Sequence, residues 1–291
     1  MADERSEIQF AAMLRIRNEG RWIAEVLEAL FPLCERLFVL DDHSTDDTAA
    51  ICKSYAPNVR TYTSPFSGLN EARDKNWLFD QVMLETKPEW IICVDGDEVL
   101  APGSAEAIKQ HVIAEPSHAY SLKIVFLWND RATARVDRIY GDFWRPSLFK
   151  PFHPDPNTPD HQKILGELRW MSTPFGRRQN GDEPNLHCSS VPQRFLHGHQ
   201  RCPAQLLHYG YMDRADRVRK LDYYTGIDWL NRAEDSYRHM TQGDGVTLDE
   251  LPTTKRLIAE GKLSPADADF MINTPPEAYL LHAGPIRLAA L

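Results

Sequence analysis

The chain has 291 residues, 42% hydrophobic and 26% charged, enough to bury a sizeable core in one large domain or one domain with an extension. Lys and Arg total 33 against 42 Asp and Glu, a net charge of −9, which excludes a general polyanion binder because a nucleic-acid backbone demands a positive footprint. No apolar run reaches the ~20 residues that cross a bilayer, residues 1–7 are too polar and acidic for a signal peptide, and five scattered cysteines without a CxxC pair read as free thiols in a reducing cytoplasm.

Strand and helix signals alternate through the first 130 residues. An apolar run at 10–14 ends in polar Arg15, Arg17, Asn18 and Glu19, and 22–33 repeats apolar residues at the spacing of one helix face. A second buried strand at 37–40 is cut off by the polar run 41–47. Ser44 or Thr45 is then placed to cap a helix over 46–55. A strand at 59–62, a helix at 69–84 and the most apolar strand, 90–94, follow, and the last stops at Asp95-Gly96-Asp97-Glu98. A helix over 104–112 and a strand over 120–128 complete this half.

Short, nearly continuous apolar strands alternating with amphipathic helices predict a parallel sheet covered on both faces. Crossover handedness puts the strand C-termini on one edge, where ligands of open α/β folds bind. That edge collects Arg15, Arg17, Glu19, Asp41, Asp42, residues 64–70, Asp95 and Asp97. Residues 145–205 differ: nine of the chain's 20 prolines lie there, which predicts long loops around a site. The pattern turns helical again over 213–240, and a short helix or two is expected beyond 243.

Two carboxylates one residue apart at a strand end can share Mg²⁺ or Mn²⁺, and Gly96 lets backbone approach a ligand. Taken alone, Asp95 and Asp97 also fit a solvated acidic turn. In combination with "LRIRNEG" (14–20), "VLDDHSTDDT" (39–48) and "LNEARDKNW" (69–77), however, "ICVDGDEVL" (92–100) resembles glycosyltransferase family 2 and its GT-A nucleotide-sugar-binding fold. The resemblance is carried by residues 8–130.

It implies an α/β GT-A domain over 1–215; the proline-rich pattern makes 145–208 a loop-rich acceptor region within it, and the helical pattern after 213 makes 216–291 a helical extension, whose tail beyond about 240 the resemblance does not reach. It implies a nucleotide-sugar donor, UDP first, a divalent cation and direct displacement with inversion at the sugar. Residue by residue, Asp42 would accept a hydrogen bond from the donor's base, and Arg17 and Glu19 would line the nucleoside. Arg17 stands where the family usually has an aromatic residue, so the base would lie on a guanidinium plane. Arg73 would face the ribose or pyrophosphate. Asp95 and Asp97 would hold the metal, with His208 as a third ligand. The glutamate of the family's "HE" pair is missing at His187-Cys188, which leaves Asp182 and Glu183, with Glu167 behind them, as candidates for the general base.

Other readings are narrower. A haloacid-dehalogenase-like phosphatase would need its second acidic pair after the D-x-D, whereas Asp41-Asp42 precedes it. A nucleotidyltransferase would carry a Gly-rich basic loop after the first strand, and "LRIRNEG" lacks one. A non-catalytic nucleotide- or carbohydrate-binding module fits the missing glutamate. His187, His197, His199, Cys202 and His208 mimic a zinc cluster without its usual spacing. Trp128, Trp144 and Trp170 offer faces for a sugar ring or for the core.

Overall fold

A computed structural model describes residues 9–151, 166–171, 188–227, 238–241 and 246–250. Its first half alternates β1 (Phe10–Ile16), α1 (Ile23–Leu30), β2 (Arg36–Asp41), α2 (Thr48–Ser54), β3 (Val59–Thr63), α3 (Glu71–Glu85) and β4 (Trp90–Cys93). The four strands pair in parallel in the order β3-β2-β1-β4. This is the layout predicted from the alternating apolar runs.

The period of two along each strand assigns residues to two cores. Phe10, Ala12, Leu14 and Ile16 of β1 join Leu37 and Val39 of β2 and the apolar stripe of α1 in one cluster. Ala11, Met13, Phe38, Leu40, Ile91 and Cys93 join Leu78, Phe79 and Val82 of α3 in the other. Arg15 falls on the α3 side by the same alternation, and its guanidinium therefore meets the start of α3. Burial by layers on both faces makes β1, β2 and β4 largely apolar, whereas the edge strand β3 is polar and half-exposed beyond Val59.

The second half adds β5 (Glu98–Leu100), α4 (Ser104–Ala114), β6 (Ala119–Trp128), β7 (Asp130–Arg135), β8 (Trp144–Phe149), β9 (Gln200–His208), α5 (Arg214–Ile227) and β10 (Leu248–Glu250). Antiparallel β8 joins β4 to β6. Along β6, β9 runs parallel, and β5 returns antiparallel to β9. The β5–β9 pairing sets Glu98 opposite His208 and so draws the end of the chain's ninth strand to the D-x-D turn.

Three expectations change here. The stretch 145–208 is not loop throughout, because β8 and β9 are strands at its two ends. Their prolines sit at irregularities: Pro146 of β8 lies opposite Ser121 where the register shifts, and Pro203 of β9 falls in the slip between the Ser121–Arg201 and Lys123–Gln205 pairs. A bulge tolerates a residue without an N–H donor. In the region expected to be helical beyond 216, β10 is a strand, antiparallel to β7. Finally, the cap of α2 is neither Ser44 nor Thr45. Asp46 Oδ1 accepts from Thr48 N at 3.0 Å, and Asp46 Oδ2 accepts from Gly20 N at 3.0 Å. Ser44 and Thr45 instead bind Asn18, Ser44 Oγ accepting from its N–H at 2.9 Å and the Thr45 N–H donating to its Oδ1 at 2.8 Å. These contacts fasten the loop after β1 to the loop after β2.

Candidate active site

The C-terminal edge of the parallel strands holds two charge clusters. In the first, Asp42 follows β2 and is buried, 2% exposed. Arg15 Nη2 donates to Asp42 Oδ2 at 2.6 Å and Arg15 Nε donates to Asp74 Oδ2 at 2.9 Å. Asp74 is fully buried in the first turn of α3, where the helix dipole also favours its charge. Arg17, half exposed, lies 3.8 Å from the same oxygen of Asp42. Arg73 donates from Nε to Asp74 Oδ1 at 2.9 Å and from Nη2 to the Gly68 carbonyl at 2.8 Å, with its guanidinium 4.3 Å from the Phe66 ring centre. Arg73 thus secures the 66–68 loop, whereas Arg17 is the open cation of this cluster.

The second cluster surrounds the D-x-D turn. Glu98 Oε2 accepts from the Asp95 N–H at 3.0 Å, and Arg145 of β8 donates to Asp95 Oδ2 at 3.0 Å and to Glu98. Burial pushes the Glu98 carboxyl up to about 7 despite Arg145. Its Oε1 has no partner. Asp97 Oδ2 accepts from Lys220 Nζ at 2.5 Å and lies 3.9 Å from His208 Nε2. Burial opposes the charge on Asp97, yet Lys220 and then His208 hold its carboxyl well below the usual range. His208 is pushed down to about 4 by burial, with the Lys220 charge acting in the same direction and Asp97 against it. Phe126 and Tyr211 pack on its ring, with centroids 5.2 and 4.5 Å away.

Glu19 completes this cluster from the loop after β1. Burial, and then Asp97, raise its carboxyl well above the ordinary value. Gly96 is required between them: a Cβ there would stand 2.6 Å from Glu19 Cγ. The turn is also held from the other side, where the Tyr209 N–H donates to the Asp97 carbonyl at 2.8 Å.

A divalent cation fits Asp97 and His208. Asp97 Oδ2 and His208 Nε2 face each other at 3.9 Å, and an ion between them would take the place of the Lys220 ammonium on that oxygen. The carboxylate suits either Mn²⁺ or Mg²⁺, and an added imidazole nitrogen favours the transition metal, Mn²⁺, of the two. Among the described residues no three His, Cys, Asp or Glu side chains converge as a self-sufficient site, so a metal here needs oxygens from its ligand.

The other candidates separate. Asp182, Glu183 and His187 lie outside the described residues. Glu167 pairs with Arg194 at 2.8 Å. The zinc reading fails on the described residues: His199 Nδ1 is 2.6 Å from Ser121 Oγ and Cys202 is buried in the apolar core. Trp128 and Trp170 are buried, the first against Arg217 at 4.0 Å and the second against Phe79 at 5.6 Å. Trp144 remains on the surface side, 4.6 Å from the Arg201 guanidinium.

Glu98, Arg145 and Lys220 were given no role by sequence. Arg15 was placed at the strand-end edge without a role, although a charge interrupting the buried α3-facing positions of β1 is itself a sign of a buried ion pair. Arg145 and Lys220 reach the turn from β8 and α5, 50 and 123 residues away, and nothing local marks them.

The uncharacterized proteins Rv3786c of Mycobacterium tuberculosis and Mb3815c of Mycobacterium bovis are each 24% identical over 239 residues, covering 76% of this chain and 51% of the relative. The chain therefore spans about half the length of the curated relatives it matches. Among solved structures, S. aureus TarS is similar at 12% identity with a TM-score of 0.45, over 80% of this chain and 43% of that one. Glucosyl-3-phosphoglycerate synthase from M. tuberculosis, solved with Mn²⁺, UDP and glucosyl-3-phosphoglycerate, is similar at 19% identity with a TM-score of 0.31, over 41% of this chain and 44% of that one. The sequence model described as "Glycosyl transferase family 2" matches residues 14–187, more than half of the chain and a span that contains Arg15, Asp42, Asp74, Asp95, Asp97 and Arg145. The chain belongs to glycosyl transferase family 2.

Proposed function

We propose that the chain transfers a sugar from a nucleoside diphosphate-sugar, UDP-sugar first, to an acceptor hydroxyl, inverting the anomeric centre by direct displacement. The observation that carries this reading is the placement of Asp42 and Asp97. They close the ends of β2 and β4, the two strands that flank β1, inside the family-matched span. Asp42 keeps one carboxylate oxygen clear of Arg15 to accept an N–H from the base. Arg17 flanks the nucleoside from the loop after β1, Glu19 of the same loop stands beside Asp97 and not beside Asp42, and Arg73 fixes the neighbouring loop. Mn²⁺ or Mg²⁺ would be held by Asp97 and His208 with Asp95 beside them, and would supply Lewis-acid stabilisation of the diphosphate as it leaves.

In the reaction the acceptor oxygen bonds to the anomeric carbon while the bond from that carbon to the diphosphate breaks, the electron pair leaving with the diphosphate. The acceptor's proton passes to a carboxylate within hydrogen-bond reach, a role assigned to Asp182 or Glu183. Purified protein incubated with UDP-, GDP-, CDP- and dTDP-sugars and Mn²⁺ tests the proposal. Metal-dependent release of UDP, lost in Asp97→Asn, is the expected result. Absence of turnover with every donor, alongside nucleotide binding, would instead identify a non-catalytic binding module.

A further inference from the structure

Asp97 already has a cation. Lys220 Nζ stands 2.5 Å from Asp97 Oδ2, and the two side chains are 17% and 5% exposed. The pair is closely walled. A Cβ on Gly210 would lie 1.9 Å from that same oxygen and 2.2 Å from Lys220 Nζ, so the backbone after β9 closes one side completely. The helix that carries Lys220 is anchored: Arg21 pairs with Asp213 at 2.6 Å and with Asp216 at 2.9 Å, and Arg217 donates to the carbonyls of Tyr211 and Met212 at 2.6 and 2.7 Å. Movement of the ammonium therefore falls to its flexible four-carbon stem.

A divalent ion on Asp97 Oδ2 would occupy space that the ammonium now fills, and two positive charges a few ångströms apart in a water-poor site repel strongly. A diphosphate entering this edge brings the negative charge that can take the ammonium over. We infer that Lys220 is a resident counter-cation: it occupies Asp97 in the nucleotide-free protein, keeps metal off the D-x-D, and moves to the donor's diphosphate when donor and metal load together. This rests on the reading of Asp97 as the metal ligand. It makes Lys220 a positioning residue that orders loading, nucleotide and metal arriving as a unit, and it complements Arg145, which neutralises Asp95 and Glu98 on the other side of the turn.

Mn²⁺ binding followed by electron paramagnetic resonance on nucleotide-free protein tests the idea without turnover. Wild type should bind Mn²⁺ weakly and UDP should tighten it strongly. Lys220→Gln should bind Mn²⁺ about tenfold or more tighter without UDP, with correspondingly less gain when UDP is added, and Lys220→Arg should stay close to wild type. Equal Mn²⁺ affinity of wild type and Lys220→Gln without UDP, with UDP-dependent binding that Asp97→Asn abolishes, would overturn the inference while leaving Asp97 as the ligand. Binding unaffected by Asp97→Asn in every protein would remove both readings. Should Lys220→Gln not fold, lysine ¹⁵N spectra of the wild type decide, with the ammonium of Lys220 assigned by its loss in Lys220→Arg. Its signal should shift on adding UDP with Mg²⁺, and a signal unmoved at saturation would overturn the inference.

Discussion

Arg15 Nη2 lies 2.6 Å from Asp42 Oδ2 while Arg15 Nε lies 2.9 Å from Asp74 Oδ2, so one guanidinium joins the end of β2 to the first turn of α3. Both carboxylates are buried; without it Asp74 would keep only Arg73 on its other oxygen and Asp42 only the half-exposed Arg17 at 3.8 Å. Removing one partner of a buried pair costs about 3–5 kcal/mol. Arg15→Met is therefore expected to lower the denaturant midpoint markedly. In protein that remains folded, UDP affinity should fall as Asp42 loses its orientation. Calorimetry with UDP and chemical denaturation check the two halves. A variant as stable as wild type would show that the two acids are held by something other than Arg15.

The first half of the fold was legible because β1, β2 and β4 are buried on both faces and carry nearly continuous apolar runs, with carboxylates close after β2 and β4. Asp42, Asp95 and Asp97 could be placed at one edge from that pattern alone. The second half was not. β8 and β9 contain Pro146 and Pro203 and are short of apolar continuity, and the register slips that accommodate those prolines exist only in their pairing with β6. A single segment does not contain that information. The same holds for the counter-ions of the site. Arg145 and Lys220 look like surface charges in sequence and become site residues when β8 and α5 close on the turn.

Asp97→Asn should abolish transfer, and the structure adds a cost in stability. The substitution leaves the mostly buried Lys220 ammonium facing an amide, so the melting temperature should drop by several degrees, a ΔΔG of about 1–3 kcal/mol. Combining it with Lys220→Met should restore much of the melting temperature and none of the activity. A double variant no more stable than Asp97→Asn would mean that the two side chains are not energetically coupled.

The five thiols should be nearly inert in the native protein. Cys34, Cys52, Cys93 and Cys202 are buried, and Cys188 is partly so. Burial pushes Cys52, Cys93, Cys188 and Cys202 up to about 12 and Cys34 higher still. The thiolate is the reactive form, so at pH 8 its population is small at each. A disulfide reagent should modify at most one thiol, Cys188, and slowly, and should modify all five after unfolding. Rapid native modification of two or more would contradict the packing of both cores.

Asp46 supports the fold where the site is built. Its carboxylate accepts from Thr48 N and from Gly20 N, each at 3.0 Å, joining the start of α2 to the loop that carries Arg17 and Glu19. Burial is the largest single influence and opposes its charge, but the donors of Thr48 and Gly20 together outweigh it and hold the carboxyl below the usual range. A carboxyl lowered on folding stabilises the native state above its unfolded value and loses that contribution as pH falls through its folded one. Asp46→Ala should therefore cost about 1 kcal/mol at neutral pH, the size of a lost helix cap. The difference from wild type should shrink as the solution is made more acidic than about pH 4. Urea melts of both proteins at pH 7 and at pH 3 measure it, and a gap that widens on acidification would reverse the assignment. Because Gly20 N is one of the two donors, the same variant should also weaken UDP binding by loosening the loop after β1, whereas an acceptor role confined to α2 would leave nucleotide affinity unchanged.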